Sequence, residues 1–224
     1  MRTHFDAQLA ILNNELINMG SMCETAINKA VLALKEHNRE VAQEIYASDS
    51  LVDKKEREIE SLCLSLILHQ QPIARDLRNI SAALKMITDM ERIADQAADI
   101  AEITLTLDFE HANDFTIIDA MCNVATEMVK KSIDAYVKHD ENIAEEVYNM
   151  DDEVDDYFIK VKDKLLARIK AHDESDETAL DLLMIAKYLE RIGDHACNIA
   201  GWVKFAITGK HGSKNFEELE HQLN

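Results

Sequence analysis

The sequence predicts an all-α protein built from two tandem three-helix bundles with long antiparallel helices. Helix-breaking residues are scarce, since the 224 residues include one proline and five glycines, whereas a β protein of this length needs many turns rich in Gly, Pro or Asn. Apolar residues recur at three- and four-residue spacing over long stretches, as on the buried face of a helix. A long internal repeat indicates that one bundle has been duplicated.

Polar joints divide the chain into six helices, which we predict at residues 4–36, 40–70, 72–106, 113–139, 141–171 and 176–207. Pro72 then falls in the first turn of the third helix, where proline is tolerated. His37 and His139 stand at helix ends, where we expect a structural role against the negative end of the helix dipole. The predicted units are a first bundle at residues 1–110, a second at 111–207 and a flexible tail at 208–224.

The repeat is visible in two places along the chain. MERIADQAADIAE at 90–102 corresponds to LERIGDHACNIAG at 189–201, with an offset of 99 residues. LALKEHNREVAQEIYASDSLVD at 32–53 corresponds to DAYVKHDENIAEEVYNMDDEVD at 134–155, with an offset of 102 residues. Each half therefore contains the same three helices, and the three missing residues fall in the polar joint near residue 172.

Charge and cysteine content restrict the partners and the compartment. The formal net charge of −19 would repel nucleic acids and anionic membrane surfaces, and it suits cations or basic patches on proteins. The four cysteines are far apart in the sequence and form no C-x-x-C motif, which favours reduced thiols. We find no signal-like or bilayer-spanning stretch, so we expect a cytoplasmic protein without direct membrane insertion.

Pairs of acidic residues recur at four-residue spacing, which places both carboxylates on one face of a helix. In an antiparallel hairpin the pairs of neighbouring helices come level in both halves of the chain. The candidate metal ligands are Asp49, Asp53, Glu91, Asp95 and Asp99 in the first half, and Asp151, Asp155, Glu190 and Asp194 in the second. Their mutual repulsion calls for protonation, a basic partner or a bound cation.

Carboxylate sites without His or Cys suit hard, divalent or trivalent cations. The identity of the metal stays open among Mg²⁺, Ca²⁺, Mn²⁺, iron and Zn²⁺. The alternative is a solvated acidic face whose repulsion is softened by Arg92 and Arg191. His195 is a weaker candidate ligand, because its counterpart in the first half is Gln96.

The chain resembles the PhoU family of phosphate-transport regulators. The resemblance rests on MGSMCETAINKAVLAL, on DSLVDKKEREIESLCLSLILHQQPIARDLRNI and on both copies of E-R-I-[AG]-D. It implies a cytosolic protein of two three-helix bundles, a homodimer in many members, that damps the phosphate-starvation response. It also implies coupling of the ATPase subunit of a phosphate ABC transporter to a sensor histidine kinase, and metal binding through the acidic motifs.

Several positions depart from an even duplication, and three alternatives for function remain. Asn198 and Gly201 stand where the first half has Asp99 and Glu102, so we expect the second metal site to be the weaker one. An accessory of a low-affinity phosphate permease and a purely structural bundle are alternatives. A carboxylate-bridged metal enzyme is disfavoured, because its E-x-x-H motif occurs only in the tail, and we expect no enzymatic activity.

Overall fold

The structure, a computed structural model, describes residues 2–70, 72–110, 115–171 and 176–210, and these contain six α-helices and no strand. The helices are α1 (Arg2–Lys35), α2 (Arg39–Gln70), α3 (Ala74–Thr106), α4 (Thr116–Lys138), α5 (Glu141–Ala171) and α6 (Asp176–Thr208). The all-α prediction is therefore confirmed. Most of the predicted tail, residues 211–224, lies outside the described residues, and the division of the chain near residue 110 stays a prediction.

The sequence predicts Pro72 in the first turn of α3, and this prediction is wrong. The helix begins at Ala74, and Ile73 before it is extended, with φ −73° and ψ 165°. Proline disfavours the helical conformation in the residue before it, and its own ring lacks an N–H. Pro72 therefore stands in the connection between α2 and α3, which keeps the two helices of this hairpin separate.

The helices form two bundles that correspond to the two halves of the repeat. α1, α2 and α3 pack together, as do α4, α5 and α6, and the bundles meet through α1 against α4 and α3 against α6. Helices that correspond through the duplication thus pair with each other, which relates the bundles by an approximate two-fold axis. α2 and α5 lie on opposite outer sides, so each α2–α3 or α5–α6 seam has one inner and one outer helix.

The α1–α4 contact is antiparallel and close. Lys35, at the end of α1, pairs with Asp119, near the start of α4, at 2.7 Å. Gly20 lies earlier in α1 and faces Ile133 later in α4, where a Cβ on the glycine would meet Ile133 Cδ1 at 2.2 Å. The missing side chain therefore allows the two bundles to approach each other at this crossing.

His37 and His139 end α1 and α4 in the same unusual way. Both have positive φ, at 56° and 51°, and the residue after each donates its N–H to the carbonyl five positions back, at 2.8 Å for Asn38 and 3.0 Å for Asp140. This is the Schellman ending of a helix. Burial of the imidazole lowers the pKa of His139, and the nearby positive charge of Arg75 lowers it further. The predicted position of both residues at helix ends is confirmed, whereas the lowered pKa of His139 favours the neutral imidazole over the expected cation.

Candidate metal centre

The α2–α3 hairpin brings acidic side chains of both helices to the same height. One carboxylate oxygen each from Asp49, Asp53 and Asp95 lies within 4.8 Å of the other two. Asp49 and Asp95 also share a hydrogen bond. With Glu91 and Glu56, whose charges act on each other across the helices, these residues form a cluster that we call the first seam.

Protonation of the first seam is shifted strongly toward the neutral acids. Burial, followed by the charges of Asp95 and Asp53, raises the pKa of Asp49 to about 6. Burial and then the charge of Asp95 raise the pKa of Glu91 to about 7. Burial and then the charge of Asp53 raise the pKa of Asp95, whereas the hydrogen bond that it accepts from Asp49 lowers it. Glu91 is therefore about half protonated near neutral pH and Asp49 is protonated mainly below about pH 6, and a bound cation would replace these protons.

The donor set fits a hard metal ion. Oδ1 of Asp49 is buried and has no hydrogen-bond partner, and an orphaned buried oxygen costs free energy. Within the described part of the chain, no Lys or Arg forms an ion pair with Asp49, Asp53, Glu91 or Asp95. An oxygen-only cluster with surplus negative charge matches the preference of Mg²⁺, Ca²⁺ and Mn²⁺.

Asp99 lies at the edge of the first seam, toward the other bundle. Burial, followed by Glu102, raises the pKa of Asp99, while Arg191 of α6 lowers it and Asp49 adds a smaller raising effect. The three closely grouped carboxylates do not include Asp99. Its assignment as a metal ligand therefore has less geometric support than that of Asp49, Asp53 and Asp95.

The second seam is the corresponding cluster of Asp151 and Asp155 on α5 with Glu190 and Asp194 on α6. Burial, then the charges of Asp194 and Asp155, raise the pKa of Asp151 to about 6. Burial and then Glu190 raise the pKa of both Asp155 and Asp194. The predicted level arrangement of the acids is thus present here too. No three of these acids are grouped as tightly as those of the first seam among the residues that the structure describes.

Two substitutions between the halves change the charge of the seams. Lys187 forms an ion pair with Glu190, whereas the residue 99 positions earlier is Thr88, which carries no charge. Glu56 adds its charge to the first seam, whereas the residue 102 positions later is Phe158. Asp152 and Asp156 add charge to the second seam in turn, so the ammonium group of Lys187 beside Glu190 is the feature that lowers its need for an added cation.

Sequence reasoning missed Glu56 as a member of the first seam. The signal was available, since Asp49, Asp53 and Glu56 follow a spacing of four and then three residues, which keeps all of them on one helix face. The equivalent residue of the second half is Phe158, so Glu56 does not appear among the acids that both copies of the repeat share.

His195 lies outside both seams. Its Nδ1 donates to Oδ1 of Asp89 on α3 at 2.9 Å, and Nδ2 of Asn198 donates to the same oxygen at 3.2 Å. Asp89 is 7% exposed, so this contact is a buried polar link between the bundles. Sequence reasoning missed Asp89 because its counterpart is Tyr188, although an acid between the buried residues Met86 and Met90 was a visible anomaly.

The chain matches the family model described as the PhoU domain over residues 16–104 and again over residues 118–203. A phosphate-specific transport system accessory protein PhoU homolog of Clostridium acetobutylicum is 39% identical over 217 residues, which cover 96% of this chain and 99% of that relative. A homolog with the same description, numbered 1, from Thermotoga maritima is 31% identical over 211 residues, or 93% of this chain and 90% of the relative.

Solved structures agree with this match. The crystal structure of PhoU from Pseudomonas aeruginosa has a TM-score of 0.85 and 29% identity, covering 92% of this chain and 100% of that one. The phosphate transport system regulatory protein PhoU from Streptococcus pneumoniae has a TM-score of 0.87 and 25% identity, with 93% and 99% covered. The two matched segments are the two halves of the repeat. The chain belongs to the PhoU family, and the predicted family and duplicated three-helix bundles are confirmed.

Proposed function

We propose that this protein is a non-enzymatic regulatory accessory of a phosphate transport system. The observation that carries the proposal is the match to relatives described as phosphate-specific transport system accessory proteins over nearly their whole length. In this role the protein associates in the cytoplasm with the ATPase subunit of a phosphate ABC transporter. It couples that subunit to a sensor histidine kinase, damps the phosphate-starvation response, and acts as a homodimer.

Two features of the molecule support a role in docking rather than insertion. None of the described helices is long and apolar enough to cross a bilayer. The formal net charge of −19 favours association with basic surfaces of partner proteins. An acidic adaptor should therefore bind its partner more weakly as salt concentration rises.

Co-purification from the membranes of the protein's own organism tests this proposal. With the full chain as bait, we expect the phosphate ABC ATPase subunit to be recovered, and recovery should fall with added salt. Recovery of a low-affinity phosphate permease without the ATPase would support the alternative system instead. Recovery of neither, together with an unchanged phosphate-starvation response in a deletion strain, would contradict both.

We further propose that the first seam binds a hard metal ion through Asp49, Asp53 and Asp95, with Glu91 and Asp99 at its border. The second seam, with Asp151, Asp155, Glu190 and Asp194, is proposed as a weaker site. When bound, the cation neutralises the repulsion between α2 and α3 and so stiffens the bundle. The orphaned Oδ1 of Asp49 and the raised pKa values of Asp49 and Glu91 support this assignment.

Elemental analysis of the protein purified from its own organism tests the metal site. We expect metal in the wild-type protein and a marked loss in Asp49→Asn/Asp95→Asn, whose side chains keep their shape. Glu40→Gln/Glu44→Gln is the matched control, because it removes two exposed acids four residues apart on the same helix. Equal metal content in all three proteins would remove the site assignment and leave the family assignment standing.

A further inference from the structure

A cavity of about 420 Å³ lies between the two bundles. Its lining comes mainly from α3 and α6, with one residue of α5. We call it the inter-bundle pocket, and it is lined by Lys85, Thr88, Asp89, Arg92, Tyr148, Cys197, Asn198, Gly201 and Trp202. Its volume is within the range of about 300–1,000 Å³ that is typical of small-molecule sites.

Two cations of the pocket have no carboxylate partner, although the protein has 43 acidic and 24 basic residues. Among the described residues, neither Lys85 nor Arg92 forms an ion pair or hydrogen bond, and the one interaction of Lys85 is with the Trp202 ring, 6.0 Å from its Nζ. By contrast, Lys204 nearby pairs with Glu145 at 3.1 Å. Unpaired cations in such an acidic protein leave positive charge available to an anion.

The acid within the pocket is already engaged. Asp89 accepts hydrogen bonds from His195 and Asn198 on the same oxygen and is 7% exposed. Both donors meet the same oxygen, so these two hydrogen bonds partly compensate the negative charge of Asp89. Lys85, Arg92 and the Tyr148 hydroxyl remain as the groups that an entering oxyanion would meet.

The duplication supplies an internal comparison for this pocket. The positions equivalent to Arg92, Asn198 and Gly201 are Arg191, Asp99 and Glu102. Arg191 of α6 corresponds to Arg92 of α3, and on that surface Asp99 and Glu102 are carboxylates. The pocket thus has an amide and a glycine where the equivalent surface has two acids, and its arginine is left without a partner.

Gly201 also keeps the pocket open. A Cβ at this position would lie 3.0 Å from the Tyr148 hydroxyl oxygen, so any side chain would press against Tyr148 and occupy the cavity. Glycine at position 201, in place of the equivalent Glu102, removes a negative charge and leaves space, and both changes favour an anionic ligand. The metal hypothesis had treated Asn198 and Gly201 as defects of the second seam, whereas both line this pocket.

We propose that the inter-bundle pocket binds a small organic oxyanion. Lys85 and Arg92 hold its phosphoryl or carboxylate group, and the indole of Trp202 packs against the remainder of the molecule. The cavity is too large for an inorganic ion alone to fill, and Trp202 provides an apolar wall beside the cations. The assignment does not depend on a metal in either seam.

Intrinsic fluorescence tests the proposal directly, because Trp202 is the single tryptophan of the chain. The full-length protein, with metal removed by chelation, is titrated with AMP and, separately, with inorganic phosphate at constant ionic strength. We expect a saturable change with AMP and a weaker response to phosphate. Equal affinity for both probes would overturn the proposal, because Trp202 and the cavity would then add nothing to the binding of the anionic group.

Matched variants locate the binding. Lys85→Met introduces the residue found at the equivalent position 184, and Arg92→Leu removes the unpaired guanidinium; each should weaken AMP binding at least tenfold. Arg191→Leu removes the equivalent arginine of the other half and should leave the affinity unchanged. Far-ultraviolet circular dichroism and the melting temperature verify that each variant is folded. No saturable change up to about 10 mM of either probe, or equal loss in all three variants, would overturn the proposal.

Discussion

Gly193 is a glycine in the interior of a helix, at a position where the other bundle has an alanine. It occupies the middle of α6 at the position equivalent to Ala94 in α3. A Cβ on Gly193 would meet Asp151 Oδ1, Met128 Cε and Val154 Cγ1, each at 3.5 Å. These are ordinary van der Waals distances, so the backbone and its surroundings accept alanine.

We therefore expect Gly193→Ala to raise the free energy of unfolding by about 0.5–1 kcal/mol, because alanine loses less backbone entropy than glycine in a helix. Urea denaturation of the metal-free protein measures the change. Gly20→Ala is the matched control, and it should be destabilising because its Cβ would clash with Ile133. Destabilisation by Gly193→Ala equal to that of Gly20→Ala would show that the site has no room for a methyl group.

The residues of the candidate site differ in how far sequence could identify them. Asp49, Asp53 and Asp95 were predictable, since helical spacing and the hairpin geometry bring them level. Lys187 and Glu56 each occur in one copy of the repeat, so the comparison of the two copies did not identify them. Asp89 was missed for the same reason. Contacts between the bundles depend on how α3 and α6 cross, which periodicity alone does not specify.

At the level of the helix hairpin, each seam places repelling acids between two long helices. The raised pKa values of Asp49, Glu91 and Asp151 mean that the native state binds more protons than the unfolded chain between about pH 4 and pH 7. The free energy of unfolding then falls as pH rises through this range, since protonation stabilises the state with the higher pKa. A metal ion should replace these protons.

For the metal-free protein we expect the free energy of unfolding to fall by about 1–2 kcal/mol between pH 5 and pH 7.5, after allowance for solvent screening of these partly exposed groups. Urea unfolding in the presence of a chelator measures it. Asp49→Asn/Glu91→Gln should reduce the dependence, because neither amide titrates. Saturating Mn²⁺ should flatten the wild-type profile. A metal-free profile that rises with pH would contradict the burial of these acids.

The two hairpins should also differ in metal affinity because of Lys187. Lys187→Thr gives the second seam the residue of the first, and it should raise the affinity of the second seam for Mn²⁺ about tenfold, since an ammonium beside Glu190 repels the cation. Thr88→Lys should have the opposite effect on the first seam. Isothermal titration of each variant in a background of Asp49→Asn/Asp95→Asn or Asp151→Asn/Asp194→Asn separates the seams. Equal affinities of the unmodified seams would contradict the proposed asymmetry.

At the scale of the whole molecule, the fold was the most predictable feature. The all-α class followed from the scarcity of Pro and Gly, the helix boundaries followed from the polar joints, and the architecture followed from the repeat at offsets of 99 and 102 residues. The pairing of α1 with α4 and of α3 with α6 did not follow, because either bundle could bury its apolar surface in several relative orientations. Gly20 at the α1–α4 crossing and the Asp89–His195 contact at the α3–α6 crossing are features that suit the observed orientation.

The Asp89–His195 pair should therefore couple the stabilities of the two bundles. His195→Ala leaves the buried carboxylate of Asp89 with Asn198 as its one remaining described donor, and it should cost about 1–3 kcal/mol of unfolding free energy. Asp89→Ala should cost a similar amount, while the double variant should cost less than the sum, with an interaction energy of about 1–2 kcal/mol. Equilibrium urea unfolding at pH 7.5 with chelator measures the unfolding free energy of all four proteins.

Because the pair joins α3 to α6, loss of either partner should also separate the unfolding of the bundles into two steps when followed by Trp202 fluorescence and by circular dichroism. Strict additivity with a single coincident transition in every variant would show that the bundles are held together without this contact, and the interface would then rest on apolar packing alone.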